Sequence, residues 1–154
     1  MSAGRYEGAL RDVIHAFKYE GRRSLARPLG GMLRKAGRPV LERSDCVVPV
    51  PLHPWRQLRR GFNQARDLAE RLDRPVMNAL WRIRATPSQM TLSAAERRSN
   101  LRGALAASPF VTVADQTVVL VDDVRTTGAT LDECAKALRR AGAREVRALT
   151  LAIA

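Results

Sequence analysis

Residues 118–130 read Val-Val-Leu-Val-Asp-Asp-Val-Arg-Thr-Thr-Gly-Ala-Thr, and they hold the densest chemistry in the chain. Two adjacent carboxylates follow four apolar residues, and three hydroxyls and a glycine come after them. The apolar run, mostly β-branched, predicts a strand buried on both faces of a parallel sheet. Asp122 and Asp123 then lie at the strand's carboxyl end, where open α/β sheets bind ligands. Thr126, Thr127 and Thr130 offer hydroxyl donors, Gly128 lets the backbone approach closely, and the helix expected next turns unpaired N–H groups toward an anion. Two carboxylates beside a phosphate cradle become compatible once a sugar lies between them. A ribose 5-phosphate fits, with hydroxyls donating to the acids and phosphate on the helix end.

Two familiar nucleotide loops fail here. A triphosphate loop needs Gly-x4-Gly-Lys-[Ser/Thr], and no lysine follows Gly128. A dinucleotide turn needs three glycines where this chain has one. Ordinary helix capping would account for Asp123 or for one threonine, but not for the whole group.

On these residues, segment 118–130 resembles the 13-residue phosphoribosyl pyrophosphate (PRPP) motif of type I phosphoribosyltransferases. The runs Val48-Pro49-Val50-Pro51-Leu52-His53-Pro54, Arg59-Arg60-Gly61-Phe62-Asn63-Gln64-Ala65 and Thr86-Pro87-Ser88-Gln89 resemble the ComF-like branch of that family, which is associated with DNA uptake in competent bacteria. Leu92, Arg97, Asn100 and Gly103, together with Lys18-Tyr19-Glu20-Gly21, fit the same pattern, so the likeness runs from about Tyr6 to the end.

The resemblance implies roles residue by residue. Asp122 and Asp123 would be the catalytic acids that orient ribose, and Thr126, Thr127, Gly128, Ala129 and Thr130 would grip the 5-phosphate. Pro51, Leu52, Arg56, Arg60 and Gly61 would hold pyrophosphate, and Thr86, Gln89, Arg97 and Asn100 would belong to a flexible loop that closes over PRPP and excludes water. Mg2+ bound mainly through PRPP is the implied cofactor, with no protein metal site of its own. Many ComF-like proteins carry a cysteine-rich, zinc-binding segment before the transferase domain. This chain begins where that segment would end, and zinc is not expected.

The residues also argue for themselves. Arg56, Arg59 and Arg60 follow the first expected strand and would face the same crevice as the carboxylates. His53, lone between Leu52 and Pro54, is expected to be structural. Thr126 cannot act as acid or base at neutral pH, which disfavours purine salvage, where some family members place an acid. No distinct hood segment for a nucleobase is evident.

Composition bounds the remaining choices. The 154 residues are expected to form one domain, 1–154, with no membrane span and a cytoplasmic location. Cys46 and Cys134 are the only cysteines and are expected in the core. The net charge of +12 comes almost entirely from arginine, a bias a G/C-rich genome also produces, although codon usage would not by itself raise the net charge. The expected partners are PRPP or a related phosphoribosyl ligand and single-stranded DNA or the DNA-uptake machinery, with a homodimer left open. Two functions stay open: transfer of the phosphoribosyl group to an unknown acceptor, and non-catalytic binding of a phosphoribosyl ligand together with DNA or an uptake partner.

Around these residues the periodicities predict alternating helices and parallel strands. Tyr6, Leu10, Val13, Ile14 and Phe17 mark a first helix stopped by Gly21. A second is capped by Ser24 and ends near Gly37 and Pro39. Residues 46–50 form the first strand, and a loop, 51–61, leads to a helix over Phe62, Ala65, Leu68, Ala69 and Leu72. Residues 80–84 read as a weak strand, Ser93-Ala94-Ala95-Glu96 as a capping box, Leu131 to Leu138 as a helix ended by Gly142, and 146–154 as the last strand. The expected fold is α/β in three layers, with a mostly parallel sheet of four or five strands and helices on both faces.

Overall fold

A computed structural model describes residues 1–83 and 103–154. Four strands, β1 (Ser2–Arg5), β2 (Cys46–Pro49), β5 (Thr117–Arg125) and β6 (Glu145–Ile153), form one sheet in the order β1-β6-β5-β2. Every pairing in it is parallel. A single parallel bridge between Val47 and Val76 continues the sheet beyond β2. Helices α1 (Gly8–Tyr19), α2 (Ala26–Leu41) and α4 (Gln64–Ala69) cover one face, burying Phe17, Leu33 and Leu68 against Val119, Val121, Leu149 and Leu151. The other face packs on helix α5 (Ala129–Arg140), through Leu131, Cys134 and Leu138. The three-layer α/β expectation holds, for the physical reason anticipated: β5 is apolar on both faces and demands a cover on each.

Several elements differ from their sequence signals. The sequence places residues 80–84 in the parallel alternation. Instead β3 (Leu80–Arg82) pairs antiparallel with β4 (Leu105–Ala107) in a separate two-stranded ribbon. Leu80 and Leu105 bury against the α5 side of the sheet, so the ribbon serves as part of that outer layer. Strand β1, Ser-Ala-Gly-Arg, carries no strand propensity. It is held by its ladder to β6 and by a 2.7 Å bond between the Ser2 and Thr150 hydroxyls.

Helix α2 also overruns its expected end. It passes Gly37 and Pro39 and reaches Leu41, with Glu42 N–H donating to Arg38 C=O at 3.0 Å beyond the proline. An interior proline costs about 3 kcal/mol, while burying a leucine returns about 2. Past the proline the helix buries Leu41, which offsets most of that cost. Gly37 is small for packing rather than for termination, because a Cβ there would lie 2.3 Å from Leu149 Cδ2. Ser24 makes no cap bond to α2 and lies in a short 3-10 turn, Arg23–Leu25. The stretch 51–61 is largely helical, as α3 (Pro54–Arg60). Cys46 and Cys134 are buried as expected. Thr86, Gln89, Arg97, Asn100, Leu92 and the expected box at 93–96 lie outside the described residues.

Candidate functional site

Strand β5 brings its two acids to the sheet's carboxyl edge and, by strand alternation, turns them to opposite faces. Asp122 follows Val118 and Leu120 toward the α5 side, and Asp123 follows Val119 and Val121 toward the α1 side. Asp123 is buried and meets Lys18 from the last turn of α1, Nζ to Oδ1 at 2.9 Å. The same Oδ1 accepts the Val124 N–H at 2.6 Å, while Asp122 Oδ1 accepts the Asp123 N–H at 2.9 Å.

The environment of Asp122 is unfavourable for charge. Burial, reinforced by the neighbouring Asp123 carboxylate, pushes its carboxyl up to about 7, against the opposing pull of the Asp123 N–H, Lys18 and Arg56. Cys134 lies beneath it, its thiol raised by burial and, secondarily, by the Asp122 charge.

Beyond the acids the chain turns at Thr126 and Thr127, both exposed. Gly128 adopts φ 79° and ψ −6°, a left-handed conformation that costs side-chain-bearing residues about 1–2 kcal/mol. Asp132 N–H bonds to Gly128 C=O at 2.9 Å and closes the first turn of α5. Ala129 N–H reaches only weakly to Thr127 Oγ1, at 3.4 Å. The first-turn N–H groups of a 12-residue helix thus open beside the carboxylates.

The facing wall comes from the end of β2. Val50 N–H donates to Val121 C=O at 2.9 Å, which sets Pro51 and Leu52 alongside the two acids. His53 caps α3 by accepting the Trp55 N–H on Nδ1 at 3.2 Å, and Pro54 occupies the first turn. Gly61 ends α3, and Asn63 ties the loop back by donating to Val50 C=O at 3.1 Å while capping α4 through Ala65 N–H at 3.0 Å. Arg56 and Arg60, one helical turn apart, are half-buried, whereas Arg59 is exposed. Arg56 is close enough to bias Asp122. Arg60 is engaged, donating to Gln64 Oε1 at 2.9 Å and stacking 4.6 Å above the Tyr19 ring.

Two cations at this edge carry no strong sequence signal. Lys18 is one, suggested only by the family pattern. Arg82 of β3 is the other, half-buried, with a guanidinium lowered by burial first and by the like charge of Arg56 second. Only the antiparallel ribbon brings Arg82 near Asp122, so no local pattern could have found it.

The phosphoribosyl transferase domain family matches residues 58–153. Competence protein F of Haemophilus influenzae is 40% identical, over 97% of this chain and 70% of that protein. The DNA utilization protein YhgH of Escherichia coli is 36% identical, over 96% and 68%. The chain belongs to the ComF-like type I phosphoribosyltransferases. Competence protein ComFC of Streptococcus pneumoniae is 29% identical to this ComF-like chain, over 95% of it and 64% of that protein.

Solved structures agree on the fold. One described as the allosteric regulatory enzyme of purine biosynthesis superposes with a TM-score of 0.53 at 24% identity, over 82% of the ComF-like chain and 26% of its own. A purine phosphoribosyltransferase from Pyrococcus horikoshii superposes with a TM-score of 0.50 at 18% identity, over 82% and 70%.

Proposed function

We propose that this ComF-like protein binds PRPP with Mg2+ and transfers its phosphoribosyl group, releasing pyrophosphate, in a process serving DNA uptake or utilisation. The single observation that carries this is the convergence at one sheet edge of Asp122, Asp123, the Gly128 turn opening α5, and Arg56. Ribose hydroxyls would donate to the two acids, and the 5-phosphate would take the first-turn N–H groups of α5 with Thr126, Thr127 and Thr130 around it. Pro51, Leu52, Arg56, Arg60 and Gly61 would line the diphosphate, with Arg60 first leaving Gln64.

No group of three or more His, Cys, Asp or Glu side chains converges as metal ligands among the described residues. The carboxylates of Asp122 and Asp123 are the hard oxygen donors at the site, and Mg2+ would keep several waters and take most of its oxygens from the ligand. When bound, it supplies neutralisation of the diphosphate charge. In the transfer, the bond from the anomeric carbon to the diphosphate oxygen breaks, and the electron pair leaves with pyrophosphate. An acceptor lone pair forms the new bond, and the acceptor's proton passes to solvent. No helix among the described residues is long and apolar enough to cross a membrane, and the proposal carries a cytoplasmic location.

The test is calorimetric titration with PRPP, with and without Mg2+, on the protein and on the double variant Asp122→Asn, Asp123→Asn. Saturable binding that the double variant loses is expected. Absence of binding to the folded protein would overturn the proposal.

A second possibility is a non-catalytic phosphoribosyl-ligand protein that binds single-stranded DNA, and one observation favours it. Trp81 and Phe110, 29 positions apart in sequence, pack together with ring centroids 5.9 Å apart and planes tilted by 40°, and both are exposed on a chain of net charge +12. Exposed rings on a basic surface suit base stacking. Pyrophosphate release above background in an acceptor screen would exclude the non-catalytic possibility, and unchanged oligothymidine affinity after Trp81→Ala and Phe110→Ala would exclude the stacking surface.

A further inference from the structure

Arg82 is a half-buried cation for which the proposed transfer has so far had no use. In β3 the side chains alternate: Leu80 buries against the sheet, Trp81 faces solvent, and Arg82 returns to the side of Leu80. Its register partner Leu105 is buried in the same cluster, which holds the ribbon against α5. At this depth Arg82 Nε has no hydrogen-bond partner among the described residues. A buried donor without an acceptor costs free energy, and a guanidinium in that position wants an oxyanion.

The surroundings say what kind of anion. Arg56, from helix α3, is close enough for its like charge to depress the Arg82 guanidinium, and Asp122 attracts both. Asp122 is a weak counter-ion, because burial and Asp123 favour its neutral form. Two guanidiniums with one reluctant carboxylate leave net positive charge at the mouth of the crevice. That excess suits a ligand segment carrying more than one negative charge, with oxygens spaced for two planar forks. The 5-phosphate would lie elsewhere, on α5. A diphosphate on the other side of the ribose is the remaining anion.

We infer that Arg82, together with Arg56, forms a clamp for the diphosphate of the ligand, making the site selective for a 1-diphosphate over the corresponding ribose 5-phosphate. The inference rests on the proposed PRPP site and adds a positioning residue from the ribbon. Arg82 also links the ribbon to the chemistry, from the last position of β3.

The experiment titrates Mg-PRPP, ribose 5-phosphate and Mg-pyrophosphate into the protein, Arg82→Met and Arg82→Lys, with thermal melts confirming that each variant is folded. Loss of one charge-assisted fork should weaken PRPP and pyrophosphate by about ten- to a hundredfold. Ribose 5-phosphate should change by less than about threefold, and Arg82→Lys should recover part of the loss by restoring the charge without the fork. Equal weakening of all three ligands would make Arg82 merely structural and overturn the clamp, as would unchanged PRPP affinity in Arg82→Met. The pyrophosphate arm separates the two claims. Pyrophosphate binding lost in Arg82→Met supports the clamp even if PRPP fails to bind, whereas an Arg82→Met variant that binds PRPP as tightly as the parent removes the clamp and keeps the site.

Discussion

Asp122→Asn should stabilise the unliganded protein while removing a carboxylate on which the proposed ribose site depends. Burial raises the Asp122 carboxyl from an ordinary 3.8 to about 7, with the Asp123 charge adding to the effect. Between those values the unfolded chain has lost the proton and the folded chain retains it. The folded state therefore binds more protons, so unfolding free energy falls as pH rises through this window and levels above about 7. Roughly three pH units at about 1.4 kcal/mol each set a ceiling of about 4 kcal/mol. Asparagine keeps a side-chain oxygen for the Asp123 N–H, now 2.9 Å from Asp122 Oδ1, and never ionises. The variant should match the parent near pH 4 and exceed it by up to about 4 kcal/mol at pH 8. Urea unfolding of both proteins at several pH values between 4 and 8 measures the difference, in which unrelated titrations cancel. A gap that does not widen with pH, or a variant less stable at pH 8, would refute the claim that Asp122 is held in its folded position against its own charge.

Lys18→Met leaves Asp123 buried without its 2.9 Å partner and should cost about 3 kcal/mol, read as a lower urea midpoint, with Lys18→Arg retaining much of the stability. Gly128→Ala, at φ 79°, should cost about 1–2 kcal/mol in thermal unfolding through backbone strain alone, since among the described residues the new Cβ has no neighbour nearer than Arg125 Nε at 3.6 Å. Gly37→Ala pushes a methyl to 2.3 Å from Leu149 Cδ2 and should cost about 1–3 kcal/mol, partly relieved when combined with Leu149→Ala. Both thiols should resist a disulfide reagent in the native protein at pH 8 and react fully in urea, because burial drives Cys46 up to about 11 and Cys134 higher still. Fast labelling of either one would contradict its core placement.

The parts of this protein that could be read in advance were those with local causes. A strand apolar on both faces and helices with a repeating apolar stripe are properties of short windows, and β5, α1 and α5 follow from them. Elsewhere long-range contacts outweighed the local signal. Pro39 sits inside α2 because Leu41 beyond it is buried, and Ser2–Arg5 is a strand because β6 has an edge to offer. Residues 80–82 left the parallel sheet because β4, whose sequence shows nothing of the pairing, was available.

For the site, sequence alone determined the chemical inventory: two acids, a hydroxyl-rich glycine turn and a basic loop, each contiguous and each positioned by its neighbours along the chain. Tertiary structure decided which cations meet those acids. Lys18 reaches Asp123 across more than a hundred residues, Arg60 is occupied by Tyr19 and Gln64, and Arg82 arrives from a ribbon. Backbone conformation is governed by near neighbours, and so it is written locally. Charge pairing and desolvation depend on distance in space, which exists only once the layers have packed.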